Sequence, residues 1–128
     1  MSFEKRYCTT VCCIDGKIVP SVIHFVQEYF QSEYVDVITE AGPAGILSDH
    51  PDSIVAEQIY SRVELSLEKH ESVGLAMVAH ACCLGNPKND TVQLNDLRTS
   101  RDELKLRFPD TDIILLWVPS DETPVLVD

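Results

Sequence analysis

The chain contains no run approaching the ~18 consecutive apolar residues that a membrane-spanning helix needs. Met1 to Thr10 carries Glu4, Lys5 and Arg6 but no apolar stretch long enough for a signal peptide. No Cys-x-x-Cys occurs, which weakens a thioredoxin-like redox role. The absence of Cys-x5-Arg removes a phosphatase reading. Gly85–Asn86–Pro87–Lys88 lacks the Gly-Lys-Ser/Thr ending of a phosphate loop and opens no Walker-type helix. Positive charge is scarce: 10 Lys and Arg stand against 21 Asp and Glu, a formal net charge of -11. Such a field repels phosphate backbones and anionic lipid, so nucleic acid and membrane are not expected partners. A small neutral substrate is compatible with it.

What remains is an ordinary globular composition. The 128 residues are 45% hydrophobic and 24% charged, values that exclude disorder and allow a real core. We expect a single domain over residues 1–128, with 1–6 as an N-terminal extension and 119–128 as a C-terminal tail or an arm on a neighbour.

Hydrophobic patterning gives the order of elements. Tyr7–Cys13 is short and β-branched and stops at Asp15–Gly16, which predicts a strand and a turn. Pro20 opens a helical pattern through Val22, Phe25, Val26, Tyr29 and Phe30 to about Gln31. Tyr34–Thr39 reads as a strand, and Glu40–Asp52 as loop. A helix runs from Asp52 or Ser53 to His70, with Val55, Ile59, Val63 and Leu67 four apart. Val73–Ala79 reads as a strand buried on both faces. After a loop from His80 to about Val92, a third helix spans Leu94–Arg107, its apolar side broken by Arg101. Asp112–Val118 is a fourth strand. Strands alternating with helices predict a three-layer α/β domain around a four-stranded, mainly parallel sheet.

Open sheets of this kind bind ligands at the carboxyl ends of their strands. There the cysteines gather. An odd count of five (Cys8, Cys12, Cys13, Cys82, Cys83) with two adjacent pairs argues against a disulfide framework and for a reducing cytoplasm. The first strand ends in Cys13–Ile14–Asp15–Gly16–Lys17 and the third in His80–Ala81–Cys82–Cys83. If the two strands are adjacent, two thiols and one imidazole converge from distant parts of the chain. Zn²⁺ takes such ligands, and three protein ligands leave a fourth position open, as in catalytic sites. Which of Cys82 and Cys83 takes part depends on register. A strand continued to Cys82 would put it on the face of His80, whereas Gly85 and a His-x-x-Cys frame favour Cys83.

Cys13-x-Asp15-x-Lys17 followed by His80-x-x-Cys83 resembles the paired motifs Cys-x-Asp-x-Arg and His-x-x-Cys of the β-class carbonic anhydrases. Ile18–Val19–Pro20, Val37–Ile38 and Ala41–Gly42 extend the likeness over roughly residues 7–118. The resemblance implies Cys13, His80 and Cys83 as zinc ligands. It implies a lyase that hydrates carbon dioxide to bicarbonate through zinc-bound hydroxide, or acts on a related small heterocumulene, in a homodimer or higher homo-oligomer. It gives Asp15 the role of orienting the water, or of filling the fourth metal position in a closed, inactive form. The family's Arg, which forks onto that Asp, is Lys17 here, a point charge that cannot make the planar contact. Lys17 is expected to steady Asp15 less firmly. Leu84 replaces a glycine, and Glu40 stands where the family tends to carry Asn. The family's N-terminal helical arm, which completes the partner's site, has no counterpart in the six residues before the first strand.

Two other classes compete. One is a catalytically silent zinc domain whose fourth position is filled by Asp15, serving assembly or sensing. The other is a metal-free domain using vicinal thiols. Cys8 is expected to be core packing, and Cys12 and Cys82 buried neighbours of the ligands. His24 and His70 are expected at the surface, and His50 in a solvated loop.

Overall fold

The computed structural model describes residues 4–128, so Met1 to Phe3 of the expected extension lie outside the described residues. Nine elements follow in order. They are β1 (Glu4–Cys13), α1 (Val19–Phe30), β2 (Ser32–Glu40), α2 (Pro43–Asp49), α3 (Ile54–Lys69), β3 (Leu75–His80), α4 (Asp90–Arg107), β4 (Ile113–Val118) and β5 (Val125–Val127). The strands form one mixed sheet in the order β2-β1-β3-β4-β5, parallel except for the β4–β5 pair.

Alternation along the strands builds two cores. Val11, Leu75, Met77, Leu115 and Trp117 face α2, α3 and α4. Cys8, Cys12, Ala76, Val78, Ile114 and Leu116 face α1, which offers Val22, Val26 and Phe30. This is the period-two consequence of a pleated strand covered on both sides. Helix starts follow capping chemistry: the side chains of Ser53 and Asn89 accept from the backbone N–H groups of Ala56 and Val92.

The expected three-layer α/β architecture holds, with differences that have local causes. The sheet has five strands rather than four. Val125–Val127, within the expected tail, pairs antiparallel with Leu115–Trp117. The expected loop after β2 contains α2, only seven residues long and carrying Pro43 and Gly45. The first strand starts at Glu4 rather than Tyr7, and the last long helix starts at Asp90, four residues before Leu94. Arg101 is half-buried, and the buried side of α4 includes Gln93, Asp96 and Ser100 beside Leu97 and Leu104. No helix of the described residues is long and apolar enough to cross a membrane.

The sheet order fixes where chemistry can occur. From β1 the chain crosses to β2 on one side, and from β3 to β4 on the other. Between the carboxyl ends of β1 and β3 the two connections part and leave a crevice. Thr9, Thr10 and Val11 pair with Leu75, Ala76 and Met77, so Cys13 and His80 end their strands at the same rim.

Candidate metal centre

Cys13 is the last residue of β1 and His80 the last of β3. Beyond His80 the backbone turns through Cys82, whose φ of 58° lies in the left-handed region. That turn sends Cys82 outward and Cys83 inward. The expectation that Cys82 is a buried neighbour is therefore corrected: it is exposed, and Cys83 is the buried thiol of the pair. Cys8 and Cys12 are fully buried core residues, as expected for the first, and burial pushes their thiols up to about 11 and about 12.

The sulfurs of Cys13 and Cys83 lie 3.8 Å apart. With a ring nitrogen of His80 they form a group whose potential ligand atoms are all within 4.8 Å of one another, every member buried. A disulfide requires about 2.0 Å between sulfurs. Two thiolates at ~2.3 Å from one tetrahedral ion would stand about 3.8 Å apart. His80 adds a second fit. Its Nδ1 lies 2.9 Å from the carbonyl of Ala81 and so carries the proton. Its Nε2 is then a bare lone pair, buried and without a hydrogen-bond partner among the described residues. An imidazole held in one tautomer by a carbonyl, with the other nitrogen unpaired among sulfurs, is the arrangement of a metal ligand. The donor set of two thiols and an imidazole suits zinc.

Burial raises the Cys83 thiol, and the neighbouring Cys13 adds to the effect, while the backbone N–H groups of Asn86 and Gly85 oppose it. A metal entering the site must displace protons, so its affinity rises with pH.

Asp15 is half-buried, and its carboxylate is not one of the grouped ligand atoms. Its Oδ1 accepts a 3.0 Å hydrogen bond from the backbone N–H of Lys17. The Lys17 side chain is exposed, and among the described residues it makes no ion pair with Asp15. The expected steadying of Asp15 by the lysine charge is thus replaced by a local backbone contact. A cleft of about 540 Å³ opens beside Cys13 and Asp15, bordered by Ile14, Ala41, Leu84 and Gly85. A smaller recess of about 80 Å³ reaches His80 from the β4 side past Lys17 and Glu122.

Glu40 pairs with Arg62 rather than with the cluster. His24 and His50 are exposed, as expected. His70 is exposed too, but it pairs with Asp36 at 2.6 Å and stacks on Tyr7, the residue before Cys8. Sequence reading missed Asn86, Gln93 and Asp96, three buried polar residues packed behind Cys83. For Gln93 and Asp96 the one sequence signal is polar side chains three apart at the start of α4, where a core-facing helix would carry apolar ones.

A family model described as "Putative carbonic anhydrase" matches residues 3–128. Among solved structures, the β-carbonic anhydrase CcaA is similar with a TM-score of 0.57 and 15% identity, over 98% of this chain and 81% of that one. The β-carbonic anhydrase CafA of Aspergillus fumigatus is similar with a TM-score of 0.52 and 12% identity, over 98% of this chain and 76% of that one. At such identities the structural likeness bears on the fold. No curated protein matches the chain in sequence. With nearly every residue inside the family match and the fold shared with β-carbonic anhydrases, the chain belongs to the carbonic anhydrase-like family of that description.

Proposed function

We propose that the protein is a zinc-dependent lyase that interconverts carbon dioxide and bicarbonate, with Cys13, His80 and Cys83 as the metal ligands. The observation that carries the reading is the unpaired, buried Nε2 of His80 beside two sulfurs 3.8 Å apart. An unsatisfied buried nitrogen costs about 1–3 kcal/mol, and a metal ion removes that cost. When bound, zinc supplies Lewis-acid activation of water near neutral pH.

The protein's own groups do the rest. Asp15 keeps Oδ1 on the Lys17 N–H and leaves Oδ2 to accept a hydrogen bond from a water in the cleft, orienting its lone pair. Ile14, Ala41 and Leu84 give the cleft apolar walls suited to a small linear neutral substrate. The Lys17 ammonium at the mouth favours the anionic product there. A second copy of the chain covering exposed Ile14 and Leu84 would complete the cleft, and a reducing cytoplasm would keep the thiols available.

The non-catalytic alternative needs Asp15 on the metal. The Asp15 carboxylate stands outside the group formed by Cys13, His80 and Cys83, which supports the open arrangement instead.

The test is metal content together with carbon dioxide hydration measured by stopped flow. Purified protein is expected to hold one zinc per chain and to hydrate carbon dioxide. Removing groups that merely support a metal ligand costs roughly 10–100-fold, so His80→Ala and Cys83→Ala are expected to lose more than that along with their zinc. Hydration that persists undiminished in Cys83→Ala, or zinc-loaded protein without any activity, would overturn the lyase reading.

A further inference from the structure

The loop that delivers Cys83 is held by a buried polar cluster on which the reaction makes no demand. Asn86, three residues beyond Cys83, is buried, as are Gln93 and Asp96 on α4. Asn86 Nδ2 donates to Asp96 Oδ2 at 3.0 Å and to Gln93 Oε1 at 3.3 Å. Gln93 Nε2 returns a bond to the carbonyl of Asn86 at 2.9 Å. Asp96 is itself fixed from α2, where Ser48 donates to Oδ1 at 3.0 Å, and by Lys88, which donates to Oδ2 at 2.8 Å. Lys88 also reaches Asp49 at 2.6 Å. The Asn86 amide lies flat against Gly45 of α2, where a β-carbon would come within 2.5 Å of it.

The bonds of this group converge on one side chain, the Asn86 amide nitrogen meeting both Gln93 and Asp96. Asn86 and Gln93 also border the same small enclosed space as Cys13, His80 and Cys83. A buried asparagine with its amide, its carbonyl and its packing face all fixed has no freedom left. Only Leu84 and Gly85 separate it from Cys83, and Gly85 packs against the backbone of Ala41 and Gly42.

We propose that Asn86 is a positioning residue for the metal centre, and that Gln93 and Asp96 act through it to fix where the Cys83 sulfur stands relative to Cys13 and His80. The inference rests on the reading of Cys83 as a metal ligand, and it ties the geometry of that ligand to α4 rather than to the strand that precedes it. Hydrogen-bonded groups behind a metal ligand commonly govern how firmly it holds.

A polarity swap tests this. Asn86→Asp alone sets two carboxylates against each other, and Asp96→Asn alone sets two amides together. The double variant Asn86→Asp/Asp96→Asn restores one donor and one acceptor across the same gap. The full chain is loaded with Co²⁺, and two quantities are read: the near-ultraviolet thiolate-to-cobalt absorption and the rate of Co²⁺ release to a chelator. Each single variant is expected to alter the absorption and to release the ion roughly 10–100-fold faster. The double variant is expected to return both toward wild type. Leu104→Val weakens the same helix without touching Asn86, and it is expected to lower the melting temperature while leaving both readouts unchanged.

In parallel, alkylation of Cys83 in metal-free protein is followed by mass spectrometry, with exposed Cys82 as internal reference. The single variants are expected to speed it and the double variant to slow it again. If wild type takes up no metal, the metal-centre reading fails, and the positioning role is decided on alkylation alone. Single variants that leave absorption, release and alkylation unchanged would overturn the proposal, as would a double variant no better than the singles.

Discussion

The two strand ends that form the candidate centre are held in opposite ways. The β3 arm, His80 to Lys88, supplies two of the three grouped residues and is anchored from α2 and α4 through Asn86 and Asp96. The β1 arm, Cys13 to Lys17, supplies one residue and then runs into exposed Ile14, Gly16 and Lys17, held by main-chain bonds from the Ile14 N–H to the Glu40 carbonyl and from the Ile18 N–H to the Asp15 carbonyl, and by the Asx contact at Asp15. Even the β3 arm changes character within one residue: Cys83 is 3% exposed and Leu84 94%. The difference teaches a division of labour. The β3 arm is clamped by buried side chains, whereas the β1 arm that carries Asp15 is held by main-chain bonds and one Asx contact and left beside solvent.

Glycines make the comparison breakable. A β-carbon on Gly85 would lie 2.5 Å from the backbone carbon of Ala41 and 2.7 Å from the nitrogen of Gly42, atoms that cannot swing aside. Overpacking of this kind costs about 1–3 kcal/mol and occasionally more, so Gly85→Ala is expected at the upper end of that range. A loss of ~3 kcal/mol corresponds to roughly 10 °C in melting temperature for a chain of this size. Because the strain enters two residues from Cys83, metal retention is expected to fall with stability. On the β1 arm Gly16 has nothing within 4 Å of the equivalent position. Gly16→Ala is expected to be neutral or to stabilise by up to about 1 kcal/mol through the unfolded chain. Thermal melts of the two variants side by side check both. Equal losses would erase the contrast between the arms.

This asymmetry was only half legible in the sequence. Cys-x-Asp-x-Lys and His-x-x-Cys stand at strand ends that the sequence marks plainly, because Tyr7–Cys13 is a β-branched run stopped by Asp15–Gly16 and Val73–Ala79 is an unbroken apolar stretch. The alternation predicts parallel pairing, whereas the adjacency of β1 and β3 is seen only in the folded sheet. What could not be read was anything made by long-range polar contact. Ser48 meets Asp96 across 48 residues, and Lys88 meets Asp49 across 39. No local pattern announces either bond. β5 was missed for a related reason: three residues after Pro124 are too few to show a period, and their strand character comes from pairing with β4. α2 was hidden by its own Pro43 and Gly45, which read as loop until the packing against α4 is seen. The choice between Cys82 and Cys83 turned on one left-handed residue, a conformation that a non-glycine seldom adopts.

Acid offers a milder way to probe the clamp. Burial alone would raise the Asp96 carboxyl. Hydrogen bonds from Asn86, Lys88 and Ser48, with the Lys88 charge, outweigh it and hold the group below its ordinary value. A carboxyl depressed in the folded state adds stability above its unfolded pKa, ~3.9, and that stability is lost as pH falls through the folded value. The clamped arm should therefore loosen below about pH 4. Wild type is expected to lose melting temperature between neutral pH and pH ~3 more steeply than Asp96→Asn, which has no proton to take up there. Parallel curves for the two proteins would mean that Asp96 contributes nothing to the acid dependence.

The smallest effect is expected where the family resemblance pointed to a key charge. A lysine in place of the forked arginine suggests a weakened hold on Asp15, and Lys17→Ala would then release it altogether. The structure gives Asp15 a different partner: the N–H of residue 17 donates to Oδ1 at 3.0 Å, and that donor belongs to the backbone. Alanine retains it. What the substitution removes is one exposed ammonium without an ion-pair partner among the described residues, and exposed charges are commonly worth less than ~1 kcal/mol. Converted to a rate, that is below roughly fivefold. If the proposed function holds, Lys17→Ala is accordingly expected to retain zinc and to lose less than about fivefold in hydration rate, a loss that shrinks further as salt screens the site. Stopped-flow hydration at low and high ionic strength measures both. A loss of a hundredfold or more that salt does not change would mean that the lysine side chain, rather than the turn, keeps Asp15 in place, and that the β1 arm is held more firmly than its backbone bonds imply.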